Sequence, residues 1–275
     1  MLRADCQVPG ARSCVARYPF RVTLSIVLIT YNEEANLPRT LESFAPLVRD
    51  GQGEIVIVDS GSTDRTLEIA RAHGAKVFVE PWKGFAAQKN SAMDKASGDW
   101  VLQLDADEAL EPELTEEIAG MLRGQPAMSG YWIPRKNFFL GRWVKHGGFY
   151  PDPKLRLVRR GAGRFVEYGA HPTIKVEGST GRFSHALLHH AYPTLRGYID
   201  HMNSYSSMGA EIAAKRGQSR FSILNIVARP VLTFIYNYFF RLGFLDGREG
   251  LLLHLYHSAY VSWKYAKAWE LGRSK

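Results

Sequence analysis

Short apolar runs alternate with helical segments from residue 21 to about residue 128, and this alternation narrows the possible folds more than any other feature of the chain. Residues 22–29, 54–58, 76–79 and 100–104 are short, apolar and bounded by polar turns, so each predicts a strand, the first two long and apolar enough to be buried. Residues 34–48, 63–73, 84–96 and 112–122 carry helical spacing instead. Leu37, Leu41, Phe44 and Leu47 fall on one face of the first helix, Gly74 suits a C-cap of the second, and Pro112 suits the first turn of the last. Strand–helix repeats of this kind imply an α/β fold: a mostly parallel, Rossmann-like sheet with right-handed crossovers and flanking helices. Ligands of such sheets sit at the carboxyl ends of the strands.

Acidic and polar residues collect at those ends. The fourth strand runs out into Asp105-Ala106-Asp107, two carboxylates one residue apart that can hold a divalent metal against a diphosphate. The first strand ends in Thr30-Tyr31-Asn32-Glu33 and the second in Asp59-Ser-Gly-Ser-Thr-Asp64. Asp59 suits a base N–H or a ribose hydroxyl. Ser62, Thr63 and Asp64 suit either the ligand or the capping of the next helix. Lys89 lies in the third helix, whose N-terminus points to the same edge, and can neutralise a diphosphate or remain a surface lysine. His189 and His190 lack a third ligand at useful spacing, which argues against a zinc site.

The remaining chain divides by composition. Residues 1–20 carry three arginines and both cysteines, Cys6 and Cys14, without an apolar stretch, and are expected to form a flexible arm. Between Tyr131 and Arg164 there are nine Lys or Arg and a single acid, Asp152, with seven aromatics between Tyr131 and Tyr150. Charge this one-sided suits a phosphate-bearing or sugar partner, so 129–192 is expected to be an acceptor-binding half beside a nucleotide-binding half at 21–128. Residues 193–275 read as a helical appendage. Within it, Asn225, Arg229, Thr233, Asn237 and Arg241 recur every four residues through an otherwise apolar stretch, and Pro230 should kink or restart the helix. Broad apolar faces bordered by Trp, Tyr, Lys and Arg suit a membrane surface, with packing on the catalytic domain or on a second subunit, a homodimer, as the other reading. No apolar run reaches the length of a spanning helix, and a net charge of +8 favours phosphate-rich partners.

The four strand-end motifs together resemble family 2 glycosyltransferases of the GT-A fold. The matching residues are Thr30 to Glu33, Asp59 to Asp64, Gly84 to Asn90 and Asp105 to Glu108. His146-Gly-Gly-Phe-Tyr150-Pro-Asp152-Pro-Lys-Leu-Arg156-Leu, Ala170-His171 and Gly243-Phe-Leu-Asp246-Gly-Arg-Glu-Gly250 are similar to a narrower branch, the bacterial lipopolysaccharide-core β-1,4-glucosyltransferases. This chain departs from that branch at Pro172, where an acidic residue is usual. The resemblance implies that Thr30, Tyr31, Glu33, Asp59, Lys89 and Asp105 bind the nucleotide. Asp107, with Asp105, would hold Mg2+ or Mn2+. Arg156, His171, Trp143 and His146 would meet the acceptor. It implies an inverting transfer, with UDP-glucose as donor and lipopolysaccharide core or another membrane-linked glycan as acceptor, at the cytoplasmic face of the bacterial inner membrane. Such a transfer needs one carboxylate base, for which Asp152 is the first choice and Glu167 the second. A sugar-phosphate nucleotidyltransferase would open with a Gly-rich loop where this chain has Thr-Tyr-Asn-Glu-Glu. A non-enzymatic nucleic-acid or membrane adaptor would leave Asp59, Asp105 and Asp107 without purpose, and no nucleic-acid partner is expected.

Overall fold

A computed structural model describes residues 23–273, apart from 125 and 168–171. The expected N-terminal arm, both cysteines and His171 lie outside the described residues. Strands β1 (Leu24–Thr30), β2 (Gly53–Asp59), β3 (Lys76–Val79) and β4 (Trp100–Asp105) are parallel. They are joined by α1 (Leu37–Val48), α2 (Thr66–Ala72) and α3 (Phe85–Asp94), so the alternation read from the sequence holds with ends shifted by a few residues. The β1 run is continuously apolar because both of its faces are covered. Ile26 and Leu28 pack with Leu41 and Phe44 of α1 on one side, and Val27 packs with Val56, Ala86 and Ala92 of α3 on the other. Ile26, Val27 and Leu28 are fully buried, and each such side chain contributes about 1.5–3 kcal/mol.

The chain continues through β5 (Glu108–Leu110) and α4 (Pro112–Arg123) into β6 (Gly130–Ile133), β7 (Arg135–Phe139), β8 (Arg142–Trp143), β9 (Lys154–Arg159), β10 (Gly163–Val166), β11 (Thr173–Val176), β12 (Thr180–Arg182) and β13 (Leu187–Tyr192). These later strands are shared among sheets, with β10 and β11 forming an antiparallel pair of their own. β6, β9 and β12 extend the first sheet, giving the order β12-β6-β9-β4-β1-β2-β3, with β9 antiparallel to both β4 and β6. A second sheet, β5-β13-β7-β8, crosses the end of β4. Its strand β5 begins three residues after Asp105, which places β7 and β13 over the carboxyl edge of the large sheet.

The C-terminal part is helical: α5 (Leu195–Lys215), a π turn (Leu224–Ala228), α6 (Arg229–Ile235), a second π turn (Tyr236–Phe240), a 3-10 turn (Gly243–Asp246) and α7 (Gly247–Arg273). Thr194 caps α5 by accepting a hydrogen bond from the Gly197 amide at 3.1 Å. A helix starts again at Arg229, with Pro230 in its first turn. Pro230 cannot donate to the carbonyl of Ile226 four residues earlier, and the hydroxyl of Ser262 in α7 donates to that carbonyl instead, at 2.8 Å. Tyr198 and Leu253 pack against Phe139 and Val144, which fixes the helices to the second sheet. Among the described residues no helix is long and apolar enough to cross a membrane.

Candidate active site

Register decides which strand ends meet. Thr30 pairs with Asp59, and Ile29 pairs with Asp105, so β1, β2 and β4 deliver their terminal side chains to one edge. Two loops are then stitched together there. The Asn32 amide donates to Ser62 Oγ at 2.8 Å, Thr63 N–H to Asn32 Oδ1 at 2.9 Å, and the Glu33 amide to Thr66 Oγ1 at 2.7 Å. Ser62 and Thr63 therefore serve as ties between loops as well as a lead into α2. Tyr31 projects from the same edge and is 60% exposed, free to stack on a planar ligand.

Asp59 takes a different part from the one expected of it. It is fully buried and accepts from Thr30 Oγ1, the Gly61 and Ser62 amides and Ser62 Oγ, at 2.6–2.9 Å. A carboxylate has about four acceptor positions, and these contacts fill them. Asp59 shapes the loop that would meet a nucleotide rather than offering it a free oxygen. Gly61, at φ +96°, supplies the turn that brings those amides round.

Beyond Asp105 lies a chain of alternating charges. Lys89 Nζ donates to Asp105 Oδ1 at 2.5 Å, and Arg156 donates to Asp105 Oδ2 and Glu108 Oε1, each at 2.6 Å. Arg135 reaches Glu108 at 3.2 Å and Asp152 at 2.6 Å, and Lys154 meets Asp152 from the other side at 2.8 Å. Burial raises the Asp105 carboxyl, but Arg156 and Lys89 outweigh it and hold the group well below the usual range. Burial lowers the Lys89 ammonium against the pull of Asp105. Lys89 is thus engaged with Asp105. Arg156, expected to meet an acceptor, is only 5% exposed and braces the floor of the site, because both its carboxylate partners lie inward.

Asp107 points away from this chain, toward His189 Nε2 at 3.4 Å. Asn137 fixes the ring. Its amide donates to the Phe149 carbonyl at 3.0 Å and to Asp152 at 3.3 Å, so its oxygen faces His189 Nδ1 at 2.7 Å and accepts the ring proton. His189 Nε2 and the Asp107 carboxylate thus face each other, a nitrogen and an oxygen donor between which a divalent cation would fit. Glu33 also carries the mark of surplus negative charge: burial and then Asp107, Asp105 and Asp64 push its carboxyl up against a hydrogen bond from Asn36. Carboxylate oxygens with one imidazole suit Mn2+ or Mg2+ completed by phosphate and water. Among the described residues no three His, Cys, Asp or Glu side chains form a ready-made metal cage.

Asp152 and His189 line one cavity of about 140 Å3 together with Arg135, Asn137, Phe138 and Phe149. Burial pushes Asp152 up, yet Arg135 and Lys154 hold it down at about 2. Glu167 is exposed beyond β10 and is not among the cavity's lining residues. Trp143 carries Lys136 and Lys145 over its ring at 4.7 and 4.5 Å, while Tyr150 meets its edge. His146 is held by Asp246 at 2.9 Å, which ties it to the helical part of the molecule. Glu108, Arg135, Asn137 and His189 were not assigned roles from the sequence. The basic, aromatic character of 129–192 was the signal for Arg135. Nothing local marks His189, which sits 52 positions from Asn137.

The family described as Glycosyl transferase family 2 matches residues 25–184. A lipopolysaccharide core biosynthesis glycosyltransferase, LpsC of Rhizobium meliloti, is 31% identical over 82% of this chain and 83% of its own length. A glycosyltransferase of Rickettsia typhi is 30% identical over 83% of this chain and 80% of its own. Among solved structures, a mannosyltransferase of Pyrobaculum calidifontis in complex with GDP-Man and Mn2+ has the same fold, with a TM-score of 0.53 at 16% identity, covering 92% of this chain and 90% of that one.

Proposed function

This chain belongs to glycosyltransferase family 2, and from that premise we propose that it is an inverting, metal-dependent hexosyltransferase. Its donor in this reading is UDP-glucose and its acceptor is the lipopolysaccharide core or a similar membrane-linked glycan, at the cytoplasmic face of the inner membrane. The acceptor class rests on LpsC, which aligns over most of both chains, and on the similarity of the segments at 146–157 and 243–250 to the core glucosyltransferases. The donor rests on that similarity alone.

One observation carries the mechanism. Asp152, Asn137 and His189 line one cavity, and His189 Nε2 reaches Asp107 just outside that lining at 3.4 Å. Asp107 with His189 would hold the divalent ion, which when bound neutralises the departing diphosphate. The loop ordered by Asp59 would receive the nucleotide, with Tyr31 against the base. The cavity would admit one acceptor sugar edge-on to Phe138 and Phe149. As the acceptor oxygen forms its bond to the anomeric carbon, the bond to the diphosphate breaks on the opposite face, and Asp152 takes the hydroxyl proton. Held near a pKa of about 2, Asp152 is always ionised but weakly basic. It therefore receives the proton late, once bond formation has made the hydroxyl strongly acidic.

The test is turnover of UDP-glucose by the whole protein with extracted core acceptor, reading the anomeric configuration of the product by NMR. A β-linked glucoside supports the reading. An α-linked product, or hydrolysis alone that acceptor does not stimulate, overturns it.

A further inference from the structure

The segment from 221 to 245 is amphipathic in the wrong sense for a helix at a water surface. Its polar residues Asn225, Thr233 and Asn237 are half-buried. Its apolar residues face out: Leu224 is 73% exposed, Leu232 64% and Phe240 74%, with Ile223, Val227, Val231, Tyr236 and Phe239 beside them. The outer positions 223/224, 227, 231/232, 235/236 and 239/240 recur once per turn, so they form one continuous face. The two π turns contribute to this order. Monomers in water rarely expose so contiguous an apolar patch.

We propose that this outer face is an in-plane anchor that seats the enzyme in an anionic lipid surface. It deepens the membrane-side reading above by naming the element and the lipid chemistry. The charge pattern selects lipid over a second copy. From residue 212 to 245 the chain carries Lys215, Arg216, Arg220, Arg229 and Arg241, and no Asp or Glu. A two-fold contact through this face would set one segment with five cations and no acid against itself, which repels. Anionic headgroups complement it. Arg241 lies against Tyr236 at 5.8 Å and Arg273 against Trp269 at 5.1 Å, pairs that suit the boundary between acyl chains and headgroups.

The anchor also adjoins the proposed acceptor site. The carbonyl of Arg241, at its end, accepts from the Gly147 amide at 2.8 Å, and Asp246 holds the Lys145 and His146 amides. The loop from 144 to 152 that ends in Asp152 is thereby fastened to the element that would lie in the lipid, so a lipid-linked acceptor arrives on the side of the base.

The experiment is co-sedimentation of the full chain with vesicles of phosphatidylcholine alone or mixed with phosphatidylglycerol, alongside calorimetry with UDP and size-exclusion light scattering. The native protein should pellet with the mixed vesicles and bind pure phosphatidylcholine about tenfold or more weakly. The double variant Leu224→Asp/Phe240→Asp should stay in solution with both. Lys215→Gln/Arg216→Gln/Arg220→Gln, all exposed and remote from the site, should lose the preference for the anionic mixture. Nucleotide binding should be the same in all three proteins, so a failure here is distinct from a failure of the proposed activity. Equal binding of the native protein to both vesicles, or to neither, overturns the proposal. So does a native dimer that the Leu224→Asp/Phe240→Asp change splits while vesicle binding persists.

Discussion

Asp152 and Glu33 illustrate how neighbours set the work a carboxylate can do. Asp152 sits between Arg135 and Lys154 and lines the cavity. Asp152→Asn should lower kcat by about 10²–10⁴-fold while leaving donor affinity within about twofold, and Glu167→Gln should change neither by more than about twofold. Steady-state rates with saturating donor and acceptor decide between the two acids. If Glu167→Gln gives the larger loss, the base is misassigned. Glu33 faces Asp107, Asp105 and Asp64, and burial and these charges raise its pKa in the folded protein. A raised carboxyl binds its proton more tightly when folded, so its ionised form is a cost at neutral pH that fades as pH falls through the raised value. Glu33→Gln should therefore raise the melting temperature at pH 7.5, and the gain should shrink toward pH 4.5, where the unfolded carboxyl also protonates. Scanning calorimetry across that range checks it. A gain that is constant with pH would mean that the negative cluster at the site mouth is not the cause.

At the level of elements, the segments His146 to Tyr150 and Gly243 to Gly250 form one joint. Asp246 is 2% exposed and accepts from the amides of Lys145 and His146 and from the His146 ring. Gly147 and Gly243 both approach the ring of His254, where an added Cβ would lie 2.0 and 2.3 Å from it, so no larger residue fits either position. Asp246→Ala leaves buried donors without an acceptor and should cost about 1–3 kcal/mol of stability. It should also raise KM for the acceptor while UDP affinity holds. A variant as stable as the native protein, with native acceptor KM, would break the joint's assigned part.

This joint also marks where sequence reading stops. Strands β1, β2 and β4 were legible because both of their faces are covered, which leaves an unbroken apolar run between turn residues; β3 is mostly exposed and was legible from its short Val-Phe-Val run before the next turn. The same reading brought Asp105, Asp107 and Asp152 forward, since acids at strand ends or alone in a basic segment stand out. It could not say that Asp59 closes on its own loop, that Arg156 turns inward to Glu108, or that His146 is held by Asp246. The last two pairings join residues 48 and 100 positions apart and depend on how the second sheet folds over the first.

For the molecule as a whole, the site is a strip of paired charges between two sheets, and the helical part closes it from the side. His254 at that closure is fully enclosed, and neither ring nitrogen has a partner among the described residues. Burial, followed by the charge of His257, lowers its pKa to about 4. A histidine whose folded pKa is depressed favours folding above its unfolded value of about 6.5 and loses that contribution as pH falls toward 4. The loss is on the order of 3 kcal/mol. Denaturant melts should show stability falling between pH 6.5 and 4, before the depressed carboxyls of Asp105, Asp107 and Asp152 titrate. A flat profile over that window would show that His254 is not held neutral.

The central claim is that Asp107 holds a divalent ion against a nucleotide diphosphate, and isothermal titration of UDP with and without Mn2+ tests it most directly. The account predicts that UDP binds the native protein tightly with Mn2+, binds at least tenfold more weakly without it, and loses the Mn2+ effect in Asp107→Ala. UDP affinity that is the same with and without Mn2+, or unchanged in Asp107→Ala, would contradict it.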